Sequence, residues 1–420
     1  MLAFIFPGQG SQRPGMGAPW ADHPSWEVVA EAADIAGRDV EHLLLRAGQD
    51  ELTPTANAQL ATFVLSSVVL DAIERVGLVP TLCAGHSLGE YTALAAAGAL
   101  SFEDGVRLVA ERGAAMHDAS EERPGTMAAV MGADDDSVDA ACRRAEGDVW
   151  VANYNAPGQV VIAGEPAAVE RAGHLAKDLG ARKVVRLPVS GAFHTVMMGP
   201  ARDRLRKALA AAGFTDPEIP VVANVDARAH SEAASWSALL SAQLCSPVRW
   251  RQSLATLADL GATVAVEVGA GGVLTGLTRR VLPDVRAVSV ATPADLDAVV
   301  DAASGSDSWH AYALAHQGER LSGSDRVVVS PAAGTFQPGP ALDGLPGPGD
   351  LASAGAAAGA AAGASVPGNS IGVGDLVGVV GTTEIRTAFA GTVVGFLVHP
   401  GERVVGGQPV LWLRAFSEDR

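Results

Sequence analysis

Lysine is nearly missing from this chain: three occur in 420 residues, Lys177, Lys183 and Lys207, and none follows Lys207. Cationic work therefore falls to arginine, whose planar fork suits carboxylates and phosphates. No cofactor held by a lysine amide can sit in the second half. Basic stripes are also lacking, and the formal net charge is -17, which excludes a nucleic-acid partner. Cysteine is scarce: Cys83, Cys142 and Cys245 are odd in number, far apart and without C-x-x-C spacing. Neither a disulfide framework nor a metal site is expected, and a reducing cytoplasm fits. Cys83 reads as a small core residue. The opening MLAFIFPGQGSQ has no basic n-region and its apolar stretch stops at Pro7, so a buried first strand is expected rather than a signal peptide. Charge is absent between Asp350 and Asp375, long enough to span a bilayer, but the stretch is alanine and glycine with little to gain from hydrocarbon. We read it as a linker or surface insertion, and no membrane partner is expected.

What is present is an alternation of apolar runs and helical patterns over residues 1–303, the texture of an α/β domain. Within it, residues 126–189 read as strand, helix, strand, strand, helix, strand, a ferredoxin-like βαββαβ insert. A connecting helix or linker is expected over 304–323. A small all-β domain over 324–420 follows, interrupted by the alanine-glycine tract at 341–368.

The stretch AGHSLGEYTALAAAGAL, residues 84–100, places Ser87 between two glycines, after a strand-like run and before a helical pattern. A strand running straight into a helix needs a tight turn, and Gly85 and Gly89 permit it, leaving Ser87 at the apex of a G-x-S-x-G elbow. There it is either a nucleophile or a helix cap.

Six segments then occur in order: PGQGSQ at 7–12, GHSLGE at 85–90, ERGAAMH at 111–117, GAFHT at 191–195, QLCSPVRW at 243–250 and EVGAGGVLTGL at 267–277. Together they resemble the malonyl-CoA:acyl carrier protein transacylases and the acyltransferase domains of polyketide synthases, over about residues 1–300. The resemblance implies an α/β-hydrolase-like large subdomain and transfer of malonyl from malonyl-CoA to the phosphopantetheine thiol of an acyl carrier protein, in fatty acid or polyketide biosynthesis. It makes Ser87 the nucleophile and His194 its general base. Gln9 and Leu88 would supply the backbone N–H groups of the oxyanion hole. Gln243 would help to orient the histidine, with no catalytic aspartate.

Arg112 matches the arginine that holds the malonyl carboxylate; on residue type alone it would be a surface arginine paired with Glu111 or Asp104. Phe193, before the histidine, goes with malonyl rather than methylmalonyl selection in the polyketide enzymes. His86 and His117 are further candidates to line the substrate cleft, although His86, beside Ser87 on a sharp elbow, is expected to point away from it. An acidic carrier protein needs an arginine patch, for which Arg279, Arg280 or the cluster Arg202, Arg204 and Arg206 are candidates. The mechanism calls for no metal or cofactor.

The last block, with VVVSPAAGTF, GVGDLVGVV and FAGTVVGFLVHPGERVVGGQPVLWL, resembles a biotinyl/lipoyl-type barrel. Its expected attachment hairpin, VVGTTEIRTAF, has no lysine, so neither biotin nor lipoate is expected and a docking or dimerising role is left. Two other readings of the whole chain stand beside this one. An α/β-hydrolase esterase or thioesterase would use a triad in the order Ser, Asp or Glu, His, with His310 or His316 also available as bases. A scaffold with a degenerate acyltransferase domain would use no chemistry at all.

Overall fold

The computed structural model describes residues 1–76, 78–189, 191–304, 325–331, 334–339, 370–372, 375–387, 391–398, 401, 403–404 and 408–415. The chain divides into two units, Met1–His310 and Ala311–Arg420.

Among its described residues the first unit contains ten strands: β1 (Leu2–Phe6), β2 (Leu82–Gly85), β3 (Thr126–Met131), β4 (Val149–Ala156), β5 (Gln159–Gly164), β6 (Lys183–Arg186), β7 (Val221–Val222), β8 (Ala229–His230), β9 (Val264–Val268) and β10 (Arg286–Val290). Six of them form one sheet in the order β10-β9-β1-β2-β7-β8, parallel except for the β7–β8 pair. β1 lies inside this sheet and is buried at all five positions, which accounts for its unbroken LAFIF run: a parallel strand covered on both faces needs no polar side. The helix Thr55–Arg75 is long and apolar enough to cross a bilayer, but 83% of its most apolar window is buried inside this fold.

β7 is shorter than the run IPVVANVDA suggests. The ladder stops at Val222; beyond Ala223, whose N–H donates to the Arg228 carbonyl, Asn224 is diverted toward the end of β2.

Between β3 and β6 the order is strand, helix (Asp135–Arg144), strand, strand, helix (Pro166–Asp178), strand, and the four strands pair antiparallel as β4-β5-β3-β6. This subdomain has its own core, including Val130, Val138, Ile162 and Val169. Its ties to the large subdomain include backbone, with Val248 N–H donating to the Ala152 carbonyl and Tyr154 N–H donating to the Val248 carbonyl, both at 2.9 Å, and side chains, with Arg251 paired to Asp135. A cleft opens along this seam, lined by Ser87 and Leu274 on one side and Asn153, Asn155 and Val161 on the other.

In the second unit the described strands are β11 (Asp325–Val329), β12 (Gly334–Pro338), β13 (Ser370–Ile371), β14 (Leu376–Val380), β15 (Thr383–Arg386), β16 (Gly391–Phe396), β17 (Arg403–Val404) and β18 (Pro409–Ala415). They form two four-stranded antiparallel sheets, β11-β18-β16-β13 and β15-β14-β12-β17, with one shared core that includes Val328, Phe336, Val377, Ile385, Val404 and Leu411. The tract expected at 341–368, and the connecting segment from 305 onward with His310 and His316, lie outside the described residues.

Candidate active site

The turn after β2 is as tight as its glycines allow. A Cβ on Gly85 would stand 1.9 Å from the Gly89 carbonyl group, and one on Gly89 would stand 2.0 Å from the Phe6 carbonyl oxygen. Ser87 itself sits at φ 54°, a left-handed conformation that costs a non-glycine residue about 1–3 kcal/mol and persists only where surroundings hold it. Asn224 does the holding. Its Oδ1 accepts from the Ser87 N–H at 2.7 Å and its Nδ2 donates to the Gly85 carbonyl at 2.6 Å. Ser87 is not a cap: no side chain caps the helix Gly89–Ala96. Its hydroxyl instead lies 2.7 Å from His194 Nε2.

His194 is also left-handed, at φ 62°, and only 4% exposed. Its Nδ1–H donates to the Gln243 backbone carbonyl at 2.8 Å. That tautomer leaves the Nε2 lone pair facing Ser87 Oγ, ready to accept its proton. Burial, and then the nearby Arg112 charge, push the imidazole down to about 3, so it is neutral at physiological pH. The residue at Nδ1 is a carbonyl rather than a carboxylate, which departs from the third member of a Ser-Asp-His esterase triad.

Arg112 is not the surface residue that its type suggests. It projects from the middle of the helix Phe102–Glu122 and is 0% exposed. Glu111 and Asp104 are engaged by other arginines, Arg204 and Arg107. The Arg112 guanidinium donates through Nη1 to Gln59 Oε1 at 2.7 Å, and through Nη2 to Gln243 Oε1 at 2.9 Å and Ser87 Oγ at 3.2 Å. Its Nε has no partner and no carboxylate among the described residues pairs with it. A buried cation whose hydrogen bonds go to neutral oxygens, with the Tyr91 ring 5.6 Å from its centre, is poised for an anion.

The cleft in front of Ser87 measures about 330 Å³ and is lined by Gln9, His86, Met116, Phe193, His194, Leu274 and Leu277 among others. The backbone N–H groups of Gln9 and Leu88 donate to no protein atom among the described residues. His86 Nε2 pairs with Asn155 Oδ1 at 2.9 Å, and its ring meets Trp250 edge-on, so it is a fixed part of the wall. His117 does not line this cleft. It is exposed and faces a neighbouring hollow with Asp50 and Pro188, because it lies on the opposite side of its helix from the buried Arg112. Of the arginines considered for docking, Arg202 and Arg204 are tied to acids, Asp203 and the pair Glu111 and Asp118. Arg279 donates to the Ala287 carbonyl, and Arg280 donates to Gln159, itself at the cleft. No group of three or more His, Cys, Asp or Glu side chains among the described residues could hold a metal ion.

Residues 3–296 match the acyl transferase domain family. The chain belongs to the acyl transferase family. It is 44% identical over 305 residues to the malonyl CoA-acyl carrier protein transacylase of Salmonella typhimurium, covering 71% of this chain and 98% of that protein. It is 39% identical over 304 residues to the transacylase of Bacillus subtilis, covering 71% and 96%. Among solved structures, a type II polyketide synthase acyl-carrier protein in complex with its malonyl-transacylase superposes with a TM-score of 0.69 at 39% identity, over 71% of this chain and 99% of that one.

In this acyl transferase, three residues that sequence reasoning passed over complete the site: Gln59, Glu90 and Asn224. Glu90 lies within GHSLGE, but an acid in the first turn of a helix has an ordinary explanation in the helix dipole. Gln59 and Asn224 stand 28 residues before and 137 residues after Ser87 (87 minus 59; 224 minus 87), with no local pattern to mark them. Only the tertiary contacts single them out.

Proposed function

We propose that this acyl transferase moves a malonyl group from malonyl-CoA to the phosphopantetheine thiol of an acyl carrier protein through an ester on Ser87. In the first half-reaction Ser87 Oγ attacks the thioester carbonyl while His194 Nε2 takes its proton. The carbonyl oxygen becomes an oxyanion beside the free N–H groups of Gln9 and Leu88, donors of a kind worth about 3 kcal/mol each. The C–S bond breaks, His194 returns the proton to the departing thiolate, and CoA leaves. In the second half-reaction the carrier thiol gives its proton to His194 and attacks the ester; the proton passes to Ser87 as the alkoxide leaves. Atoms balance over the two thiols, Ser87 and His194, so this reading requires no metal or redox cofactor.

The observation that carries the substrate assignment is Arg112: a buried guanidinium 3.2 Å from Ser87 Oγ with no acidic partner. A malonyl carboxylate would pair with its fork, whereas a neutral acyl chain would leave the charge unmatched in a dry site. Phe193 in the cleft wall supports the choice of malonyl over a branched group. Arg280 at the cleft edge is our candidate contact for the acidic carrier. The decisive experiment is competition among malonyl-, methylmalonyl- and acetyl-CoA, with the acylated residue mapped by mass spectrometry. Malonyl ester on Ser87 is expected; label elsewhere, or equal acetylation, would refute the assignment.

For the second unit, we read its two sheets as a biotinyl/lipoyl-like barrel used for docking or dimerising. The turn at Gly381–Thr382 between β14 and β15 falls within the lysine-free hairpin. Finding a biotinyl or lipoyl adduct on the purified protein would contradict it. The unpaired cysteines fit a reducing cytoplasm.

A further inference from the structure

Glu90 has no part in the acyl transfer just described, yet it is fully buried one helical turn below the nucleophile. A carboxylate is costly in such a place unless its oxygens are engaged, and here both are. Oε1 accepts from the Asn224 backbone N–H at 3.0 Å, and Oε2 accepts from Gln243 Nε2. The same Nε2 donates to the Ser87 carbonyl at 2.8 Å. With two acceptors on one side, the Gln243 amide has one orientation that satisfies them, nitrogen toward Glu90 and Ser87. Its oxygen is thereby turned toward Arg112 Nη2.

We propose that Glu90 is a positioning residue for carboxyacyl selectivity: it locks the Gln243 amide so that Oε1 holds the Arg112 guanidinium beside Ser87. The proposal rests on the malonyl-transfer reading above. Glu90 also places negative charge near Arg112 without occupying the guanidinium edge that a substrate carboxylate needs. Burial pushes the Glu90 carboxyl up to about 7, so the acceptor is present in its charged form chiefly above neutrality.

Glu90→Gln is the isosteric test. A glutamine carbonyl can satisfy Asn224, but its NH2 then meets Gln243 Nε2, donor against donor. Gln243 can escape this only by flipping its amide, which gives up its bond to the Ser87 carbonyl and turns an NH2 group onto Arg112. Acyl transfer from malonyl-CoA and acetyl-CoA would be measured for wild type, Glu90→Gln, Arg112→Ala and the double variant, with thermal unfolding of each. We expect E90Q to lower the malonyl-over-acetyl ratio of kcat/KM about tenfold, chiefly through KM for malonyl-CoA, and to have no further effect on that ratio once Arg112 is gone. Equal losses with both thioesters, or losses that add in the double variant, would overturn the proposal. If E90Q does not fold, Glu90→Asp is read by the same ratio, since it withdraws the acceptor by one methylene. A wild type that shows no malonyl preference would instead sink the function itself, separately from the role of Glu90.

Discussion

Asn224 encloses the Ser87 elbow from both sides, accepting the Ser87 N–H at 2.7 Å and donating to the Gly85 carbonyl at 2.6 Å. A residue 137 positions away thus holds the nucleophile in a backbone conformation it would otherwise leave. Asn224→Ala should cost about 1–3 kcal/mol of stability, the usual loss for stranding buried polar groups. It should also lower kcat for acyl transfer more than it raises KM. Thermal unfolding with steady-state kinetics checks this; an unchanged kcat would show that the elbow supports itself.

Gly85→Ala tests the elbow's steric limit. The added methyl would lie 1.9 Å from backbone atoms of Gly89, and backbone cannot swing aside as a side-chain tip can. We expect failure to accumulate folded protein or a large drop in Tm. A variant that melts like the wild type would mean that the turn has slack the geometry does not show.

Arg112→Ala should reduce malonyl transfer at least a hundredfold, roughly what losing two charged hydrogen bonds implies. Acetyl transfer should fall much less. The readout is the ratio of acyl-enzyme formation from the two thioesters. Equal reductions would assign Arg112 to the fold, through Gln59 and Gln243.

His194 is held neutral by burial and by Arg112. With a folded value of about 3 against an ordinary 6.5, the unfolded chain takes up this proton first. The stability contributed by the neutral ring is complete above 6.5 and is lost as pH falls from there toward 3. Labelled-histidine NMR should show a neutral, Nδ1-protonated ring at pH 5. An imidazolium signature for His194 at pH 6 would contradict the arrangement.

Phe193→Ser should improve acylation by methylmalonyl-CoA relative to malonyl-CoA. The Phe193 ring packs where a Cβ on Gly191 would come within 2.3 Å of it, so glycine at 191 is what lets the ring occupy the cleft wall. Competition between the two thioesters measures the shift. No change in the ratio would place the size filter elsewhere.

Arg112 and His194, 25 and 107 residues beyond Ser87, are marked by family resemblance; what the sequence determined by itself was the elements, a buried first strand and the glycine-framed turn at Ser87. These are local because turns, strands and helices are specified by near neighbours. Tertiary structure decided which of those groups meet. It turned Arg112 inward and His117 outward on one helix, shortened β7 so that Asn224 could leave the sheet, and brought Gln59 and Gln243 onto one guanidinium with Glu90 behind Gln243. Such a network is assembled from four separate segments, and a hydrogen bond carries no trace in the spacing of residues that only packing brings together.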